Sequence, residues 1–295
     1  MTSKLMLYLK EKAKYIEQAM PAFLPEETPK QLLESMQYSL FAGGKRIRPV
    51  LILATIEALG KDSTIGLPVA VAIEMIHTYS LIHDDLPAMD NDDFRRGKPT
   101  NHKLFGDATA ILAGDGLLTD AFGVVCRLSD YKVDASLILQ IVKELAYYAG
   151  SRGMVGGQMA DLLGERKQLS LPELQYIHEH KTADLLVFCI RAGAILGGAT
   201  EEQLELLSLF GRNVGLAFQI QDDILDIYGE EEKIGKPVGS DQLKEKSTYP
   251  HLIGLEQSRA ELDRLVAEGK LALKQSGIEG SVLEAIADFI IQREN

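Results

Sequence analysis

The sequence predicts an all-α protein. Apolar residues recur three and four positions apart along most of the chain, a spacing that places them on one face of a helix. Alternating apolar and polar runs bounded by turn residues, which indicate β-strands, are nearly absent. No linker rich in Pro, Gly or Ser divides the chain, and no repeat of fixed period occurs. We therefore expect a single helical domain over residues 1–295.

The helical elements can be placed in order from their start and stop signals. The first follows Thr28, an N-cap residue, with Pro29 at its first position, and Gly43 ends it. Pro49 opens the next helix, which ends at Gly60. Further long helical patterns follow, with boundaries good to a few residues, at roughly 65–85, 108–129, 133–150, 171–197, 201–228, 248–275 and 280–293.

Composition excludes several classes of function. The chain is 46% hydrophobic and 25% charged, which is typical of a soluble globular protein. Its net charge of −12 argues against a nucleic-acid partner, because phosphate backbones require a basic surface. The sequence contains no uninterrupted run of 18 apolar residues, so we expect no transmembrane helix. The N-terminus is interrupted by lysines and does not resemble a signal peptide. Cys126 and Cys189 form no CxxC pattern, so we expect a cytoplasmic protein without a structural disulfide.

Two aspartate clusters carry the strongest functional signal, and the second has the simpler geometry. It consists of Asp222, Asp223 and Asp226. In an ideal helix Asp223 lies about 100° and Asp226 about 40° from Asp222 around the axis. The three carboxylates then share one face, where a cation would relieve their mutual repulsion. Oxygen ligands without His or Cys favour magnesium over zinc.

The first cluster consists of Asp84, Asp85 and Asp90. Asp90 follows Asp84 by six residues, so an ideal helix would turn it about 240° away. Pro87 disrupts the helix and allows the chain to bring Asp90 back. A single acidic cluster is usually a solvated helix end. Here both clusters end apolar helices, and the 138 positions between Asp84 and Asp222 allow them to face one another, so we expect a shared cavity with an acidic rim.

Several segments together resemble the motif set of the trans-prenyl diphosphate synthases. They are GGKRIRP, SLIHDDLPAMDNDDFRRGKPT, GGQMADL, HKTADLL and FQIQDDILD, and the match runs from about residue 43 to 240 and on through KSTYP. The proline-containing insertion in the first aspartate motif resembles the bacterial farnesyl-forming members in particular. The resemblance implies one bundle of about ten or more mostly antiparallel helices around a deep central cavity, normally in a homodimer.

The same resemblance implies a reaction and a metal. An allylic diphosphate ionises, and the double bond of isopentenyl diphosphate attacks the resulting carbocation. About three Mg²⁺ ions per active site neutralise the pyrophosphate that leaves. All six aspartates are ligands or close supports, with Asp84, Asp90 and Asp222 the safest ligands. No nucleic acid and no membrane takes part, and the released pyrophosphate can accept the final proton.

Basic and polar residues receive roles from the resemblance. Arg95, Lys181 and Lys236 would contact the allylic diphosphate, whereas the carbonyl oxygen of Thr182 and the side chain of Gln219 would stabilise the carbocation, with Lys181 nearby. The isopentenyl diphosphate would be bound by the residues of a metal-free site, Lys45, Arg48, His77 and Arg96. Lys45 and Arg48 lie beside a helix start, which favours anions, and His77 lies about 20° from Asp84 around the helix. Without the resemblance, a basic helix cap and a core histidine are the commoner interpretations.

Product length is predicted from the helix that precedes Asp84. Tyr79 lies about 7 Å deeper along that helix, next to the small Ser80, and an aromatic residue there resembles a fifteen-carbon stop. Helix geometry turns Tyr79 about 140° from Asp84, so it does not establish that the ring faces the cavity.

Four questions stay open at the level of sequence. The product could instead be geranylgeranyl or geranyl diphosphate. A class I terpene cyclase or a non-catalytic prenyl synthase subunit is less favoured, because both aspartate motifs are intact. We place Gln158 and Asp161 behind the substrate contacts. Some relatives end in a basic tail that reaches isopentenyl diphosphate, whereas this sequence ends with Arg293, Glu294 and Asn295, and whether Arg293 takes that role is open.

Overall fold

The computed structural model describes residues 2–25, 27–165, 167–228 and 247–292. Over these ranges the chain forms fourteen α-helices and one short β-hairpin. The predicted all-α class is therefore confirmed. Lys236, Arg293 and the glycine-containing loop 229–246 lie outside the described residues.

Six helices and the hairpin occupy the first part of the chain. The helices are α1 (Thr2–Ala19), α2 (Lys30–Leu40), α3 (Ile47–Ala58), α4 (Leu67–Asp84), α5 (Asn101–Phe105) and α6 (Asp107–Cys126). Short 3₁₀ turns occur at Met20–Phe23, Ser63–Gly66 and Arg127–Tyr131. In the hairpin, β1 (Phe94–Arg95) pairs antiparallel with β2 (Lys98–Pro99).

Eight helices follow. They are α7 (Ala135–Ala149), α8 (Met154–Gly164), α9 (Leu171–Ile177), α10 (Asp184–Gly197), α11 (Glu201–Tyr228), α12 (Tyr249–Ile253), α13 (Leu255–Gln275) and α14 (Ser281–Gln292). A π-helical segment, His178–Ala183, joins α9 to α10.

The structure corrects three predicted elements. Thr28 does not cap α2, because its hydroxyl donates to the carbonyl oxygen of Pro25 (3.0 Å) and Pro29 takes the N-cap position. The predicted helix 171–197 contains the π segment. The predicted helix 248–275 is broken at Gly254, whose φ of 84° lies in the left-handed region that ends helices.

The first compact unit comprises residues 6–53 and 62–142. Its central element is α4, which packs against α6 and α2. Thirteen of the 18 residues of α4 are buried, and a helix that is apolar on all sides is typical of a core. The first aspartate motif begins at the C-terminal end of this helix.

The second unit comprises residues 1–5, 54–61 and 143–295. Its long helix α11 packs against α13, α10 and the π segment, and it carries the second aspartate motif. A cluster that includes Leu216, Ile220, Ile224 and Tyr249 forms the core beneath that motif. The prediction that the whole chain is one domain stays a prediction.

Two helical stretches are long and apolar enough to cross a membrane by length and composition alone, Ser63–Asp84 and Asp107–Tyr131. The most apolar window of the first is 78% buried, as expected of a core helix, whereas that of the second is only 39% buried. Ile111 and Leu112 of α6 are among its exposed apolar residues.

Candidate active site

The first aspartate motif forms a tight turn at the end of α4. Asp84 is the last residue of the helix, and Pro87 lies in the turn that follows. The backbone N–H of Asp90 donates to the carbonyl oxygen of Asp84 (2.9 Å), so the chain returns to the helix end. The insertion therefore brings Asp90 back beside Asp84, and both residues are half-buried.

Asp85, in contrast, holds an arginine. Asp85 is only 3% exposed, and Nε of Arg95 donates to both of its carboxylate oxygens (2.8 and 2.9 Å). Nη2 of Arg95 lies 2.6 Å from Oδ1, which completes a bidentate pair. Burial raises the pKa of Asp85, and the Arg95 guanidinium opposes that rise. The geometry favours Asp85 as the support of Arg95 rather than as a direct metal ligand.

A basic cluster lies beside this turn in the same unit. Nη1 of Arg48 lies 3.3 Å from Nε2 of His77. Burial, and then the positive charges of Arg48 and Arg96, hold the pKa of His77 well below its ordinary value. His77 is therefore neutral near pH 7, and its Nε2 can accept a hydrogen bond from Arg48. Lys45 lies exposed on the loop that leads to Arg48.

Arg96 ties the hairpin to the same loop. Its guanidinium donates to the carbonyl oxygen of Gly43 and packs on Gly44, where a Cβ atom would lie 3.0 Å from Cζ of Arg96. The glycine allows this close approach. The structure thus brings together Arg48, His77 and Arg96, with Lys45 on the connecting loop.

Tyr79 is buried, with 5% of its surface exposed. Its ring packs edge-on against His83, with 5.8 Å between ring centroids. Its hydroxyl has no hydrogen-bond partner among the described residues, and burial raises the pKa of Tyr79 to about 12. The neighbouring Ser80 donates to the carbonyl oxygen of His77 (2.8 Å). The role of both residues in product length stays a prediction.

In the second motif, Asp223 differs from its neighbours. Asp222 and Asp226 are half-buried on α11, whereas Asp223 is buried. Its Oδ2 accepts the backbone N–H of Tyr249 (2.9 Å) at the start of α12 and lies 3.6 Å from Nε2 of His178. Asp223 therefore anchors the start of α12, which favours a supporting role over direct metal ligation.

His178 is a residue that the sequence did not single out. It stacks on Tyr249 with 5.4 Å between ring centroids, and burial lowers its pKa to about 3. Its position three residues before Lys181 in HEHKTAD is the only sequence signal, because its contacts come from distant segments.

The π segment carries the remaining predicted residues. Lys181 donates through Nζ to Oδ2 of Asp161 (2.6 Å), and the hydroxyl of Thr182 donates to Oε1 of Gln219 (2.9 Å). At Gly157 of α8, a Cβ atom would lie only 2.1 Å from the backbone N of Lys181. Glycine therefore allows α8 to pack directly on the π segment. Short π-helical segments of this kind are often found at functional sites.

The donor chemistry of these motifs fits magnesium. Within the ranges that the structure describes, no three His, Cys, Asp or Glu side chains are gathered as a complete metal site. The half-buried pairs, Asp84 with Asp90 and Asp222 with Asp226, offer carboxylate oxygens only. Magnesium commonly uses one or two carboxylates together with the oxygens of a substrate phosphate, and each of these pairs supplies two carboxylates.

The chain belongs to the polyprenyl synthetase family, whose model matches residues 29–282. A farnesyl diphosphate synthase of Geobacillus stearothermophilus is 52% identical over 98% of this chain and 97% of its own length. A farnesyl diphosphate synthase of Bacillus subtilis (strain 168) is 51% identical over the full length of both chains. The apo crystal structure of an FPP/GFPP synthase from Zymomonas mobilis aligns with a TM-score of 0.87 and 38% identity, covering 99% of this chain and 100% of that one. The fold is therefore the all-α fold of this family, as the sequence predicts.

Proposed function

We propose that this chain is a prenyltransferase that makes farnesyl diphosphate. It condenses isopentenyl diphosphate head to tail (1′–4) with dimethylallyl diphosphate and then with geranyl diphosphate, releasing pyrophosphate each time. The observation that carries this conclusion is the identity of about half of all residues, over the whole chain, with two farnesyl diphosphate synthases. Intact aspartate motifs and membership of the family argue against the cyclase and non-catalytic subunit alternatives.

The allylic diphosphate meets the carboxylates and Arg95. Mg²⁺, when bound, neutralises the departing pyrophosphate, and the resemblance implies about three ions per active site. Asp84 and Asp90 in the first motif, and Asp222 and Asp226 in the second, are the residues that would hold the ions. Asp85 fixes the guanidinium of Arg95, so this donor needs little reorganisation when the leaving group gains charge.

The isopentenyl diphosphate needs to be held without being activated. Arg48, Arg96 and Lys45 supply positive charge, and a planar guanidinium matches two phosphate oxygens at once. The neutral His77 can donate to the phosphate from one ring nitrogen while it accepts from Arg48 at the other. Such a site binds the diphosphate through the protein alone, so its carbon–oxygen bond stays intact.

The carbocation requires lone pairs in a fixed orientation. The hydrogen bond from the Thr182 hydroxyl to Oε1 of Gln219 limits rotation of the Gln219 side-chain amide. The hydrogen bond from Nζ of Lys181 to Asp161 fixes the ammonium group of Lys181. We assign stabilisation of the carbocation to the carbonyl oxygen of Thr182 and the side chain of Gln219, with Lys181 nearby as a contact of the diphosphate. No separate base is needed, because the pyrophosphate that has just been released can accept the proton.

We also propose a homodimer that works in the cytoplasm. The exposed apolar side of α6, which includes Ile111 (44% exposed) and Leu112 (57% exposed), supports contact with a second copy. Light scattering of the purified protein should give a mass near 65 kDa, twice the 32.4 kDa of one chain. Replacing Leu112 by glutamate should shift the mass toward one chain. A wild-type protein that is monomeric at micromolar concentration would rule out this proposal.

Dependence of condensation on Mg²⁺ tests the proposed chemistry. Purified protein should join labelled isopentenyl diphosphate to geranyl diphosphate in Mg²⁺, lose that activity in excess EDTA, and regain it when Mg²⁺ is restored. Without the ions most of the charge of the departing pyrophosphate would stay uncompensated, because the basic side chains neutralise only part of it. Full activity in EDTA would refute the assigned role of the aspartate motifs.

A further inference from the structure

Arg46, between two predicted substrate contacts, points into the protein instead of toward the site. Arg46 is 3% exposed, whereas Lys45, directly before it, is exposed and Arg48, two residues later, is half-buried. The backbone of Arg46 adopts a φ of 50°, in the left-handed region that residues other than glycine rarely enter. Such a conformation persists only where surrounding contacts hold it.

Three hydrogen bonds hold Arg46 in this conformation. Nη1 donates to Oε1 of Glu74 (2.5 Å), Nε to Oε1 of Glu17 (3.0 Å), and Nη2 to the carbonyl oxygen of Leu40 (2.9 Å). Glu74 is only 2% exposed, whereas the side chain of Glu17 is 41% exposed. Glu74 is therefore the buried counter-charge that allows Arg46 to stay inside.

The pair is the first of two adjacent links between α4 and the segment 43–48, which comprises the end of the loop before α3 and the first two residues of that helix. Arg46, the last residue of the loop, binds Glu74, and Arg48, at the start of α3, contacts His77, three residues further along α4. Residues three apart on a helix are neighbours on its surface. The two links therefore lie next to one another on α4.

We infer that the buried Arg46–Glu74 pair is a positioning element of the isopentenyl diphosphate site. It holds the segment 43–48 in the conformation that presents Lys45 and Arg48 to the diphosphate, beside His77. This inference rests on the proposed function, because it takes Lys45, Arg48 and His77 as contacts of isopentenyl diphosphate. Neither Arg46 nor Glu74 touches the substrate in this account.

Replacing Glu74 by glutamine tests the inference. The amide keeps the shape of the side chain but removes the negative charge, which leaves the Arg46 guanidinium buried without adequate compensation. We expect KM for isopentenyl diphosphate to rise by about tenfold, the effect of losing one well-placed hydrogen bond to a charged group. KM for geranyl diphosphate should stay within about twofold, because Arg95 and its partner Asp85 keep their own contact.

A purely structural role would give a different pattern, and Glu144→Gln is the matched control. Glu144 forms a bidentate pair with Arg191 (2.8 and 2.6 Å) in the other compact unit. Both variants should lose thermal stability, but only Glu74→Gln should raise KM for isopentenyl diphosphate. Equal changes in the KM values of both substrates, or none in either, would overturn the inference.

A double variant keeps the test valid if Glu74→Gln folds poorly. Arg46→Met with Glu74→Met replaces the pair by apolar side chains, a change that is often neutral for stability. Methionine makes none of the three hydrogen bonds, so the raised KM for isopentenyl diphosphate should persist in this stable protein. A double variant with wild-type KM would refute the positioning role.

The proposed function can fail independently of this inference. A wild-type protein that does not condense the two diphosphates would refute the function itself. If Arg48→Ala leaves KM for isopentenyl diphosphate unchanged, the assignment of the substrate site is wrong, whatever Glu74→Gln does.

Discussion

Asp84→Asn is expected to lower kcat/KM for condensation by about 10³-fold, the scale of removing one key group that stabilises developing charge. Asp84 ends α4, and the returning chain places Asp90 beside it. An asparagine preserves the size of the side chain and one oxygen but lacks the negative charge that attracts Mg²⁺. The loss should be partly reversed at higher Mg²⁺, which steady-state kinetics over a range of concentrations would measure.

Two comparisons make this result specific. Asp263→Asn alters an exposed aspartate on α13 and should leave kcat/KM within about twofold of wild type, as surface substitutions usually do. Asp85→Asn should lower kcat/KM by less than Asp84→Asn does. It disturbs only the orientation of Arg95 and leaves the pair of proposed ligands, Asp84 and Asp90, intact. A loss below about tenfold in Asp84→Asn would contradict the assignment of Asp84 as a metal ligand.

Tyr79→Ala is expected to change the product itself. The ring is buried one turn before His83, and its removal would deepen any cavity that it closes. The main product should shift from fifteen carbons to twenty or more, as measured by chromatography of the dephosphorylated alcohols.

Tyr79→Phe is the control for that prediction. It keeps the ring and removes a hydroxyl that has no hydrogen-bond partner among the described residues, so the product should stay at fifteen carbons. An unchanged chain length in an active Tyr79→Ala protein would show that another residue closes the cavity.

The helices and the first motif were accessible from sequence because their signals are local. Apolar periodicity predicts α11 with the bounds that the structure has, and Pro87 predicts the return of Asp90 to the helix end. Helix α8 was not predicted, since its glycines lower helix propensity. The glycine at position 157 is explained by tertiary packing, because a side chain there would collide with the backbone of Lys181.

Within the motifs, the sequence could not separate ligands from supports. Asp222 and Asp223 are adjacent and chemically identical, yet the latter is turned toward the backbone of Tyr249, 26 residues later. The pairing of Arg46 with Glu74 is equally non-local, and the GGKRIRP segment gives no sign of which basic residue points inward. A face-to-face arrangement of the two motifs stays a prediction from the sequence.

The most direct test of the account is the chain length that the wild-type protein makes. Purified protein would be supplied with labelled isopentenyl diphosphate, dimethylallyl diphosphate and Mg²⁺, and the dephosphorylated products separated by length. We expect a fifteen-carbon main product, with the ten-carbon intermediate consumed as the reaction proceeds. A main product of twenty carbons would contradict the role of Tyr79, and no condensation at all would contradict the proposed function.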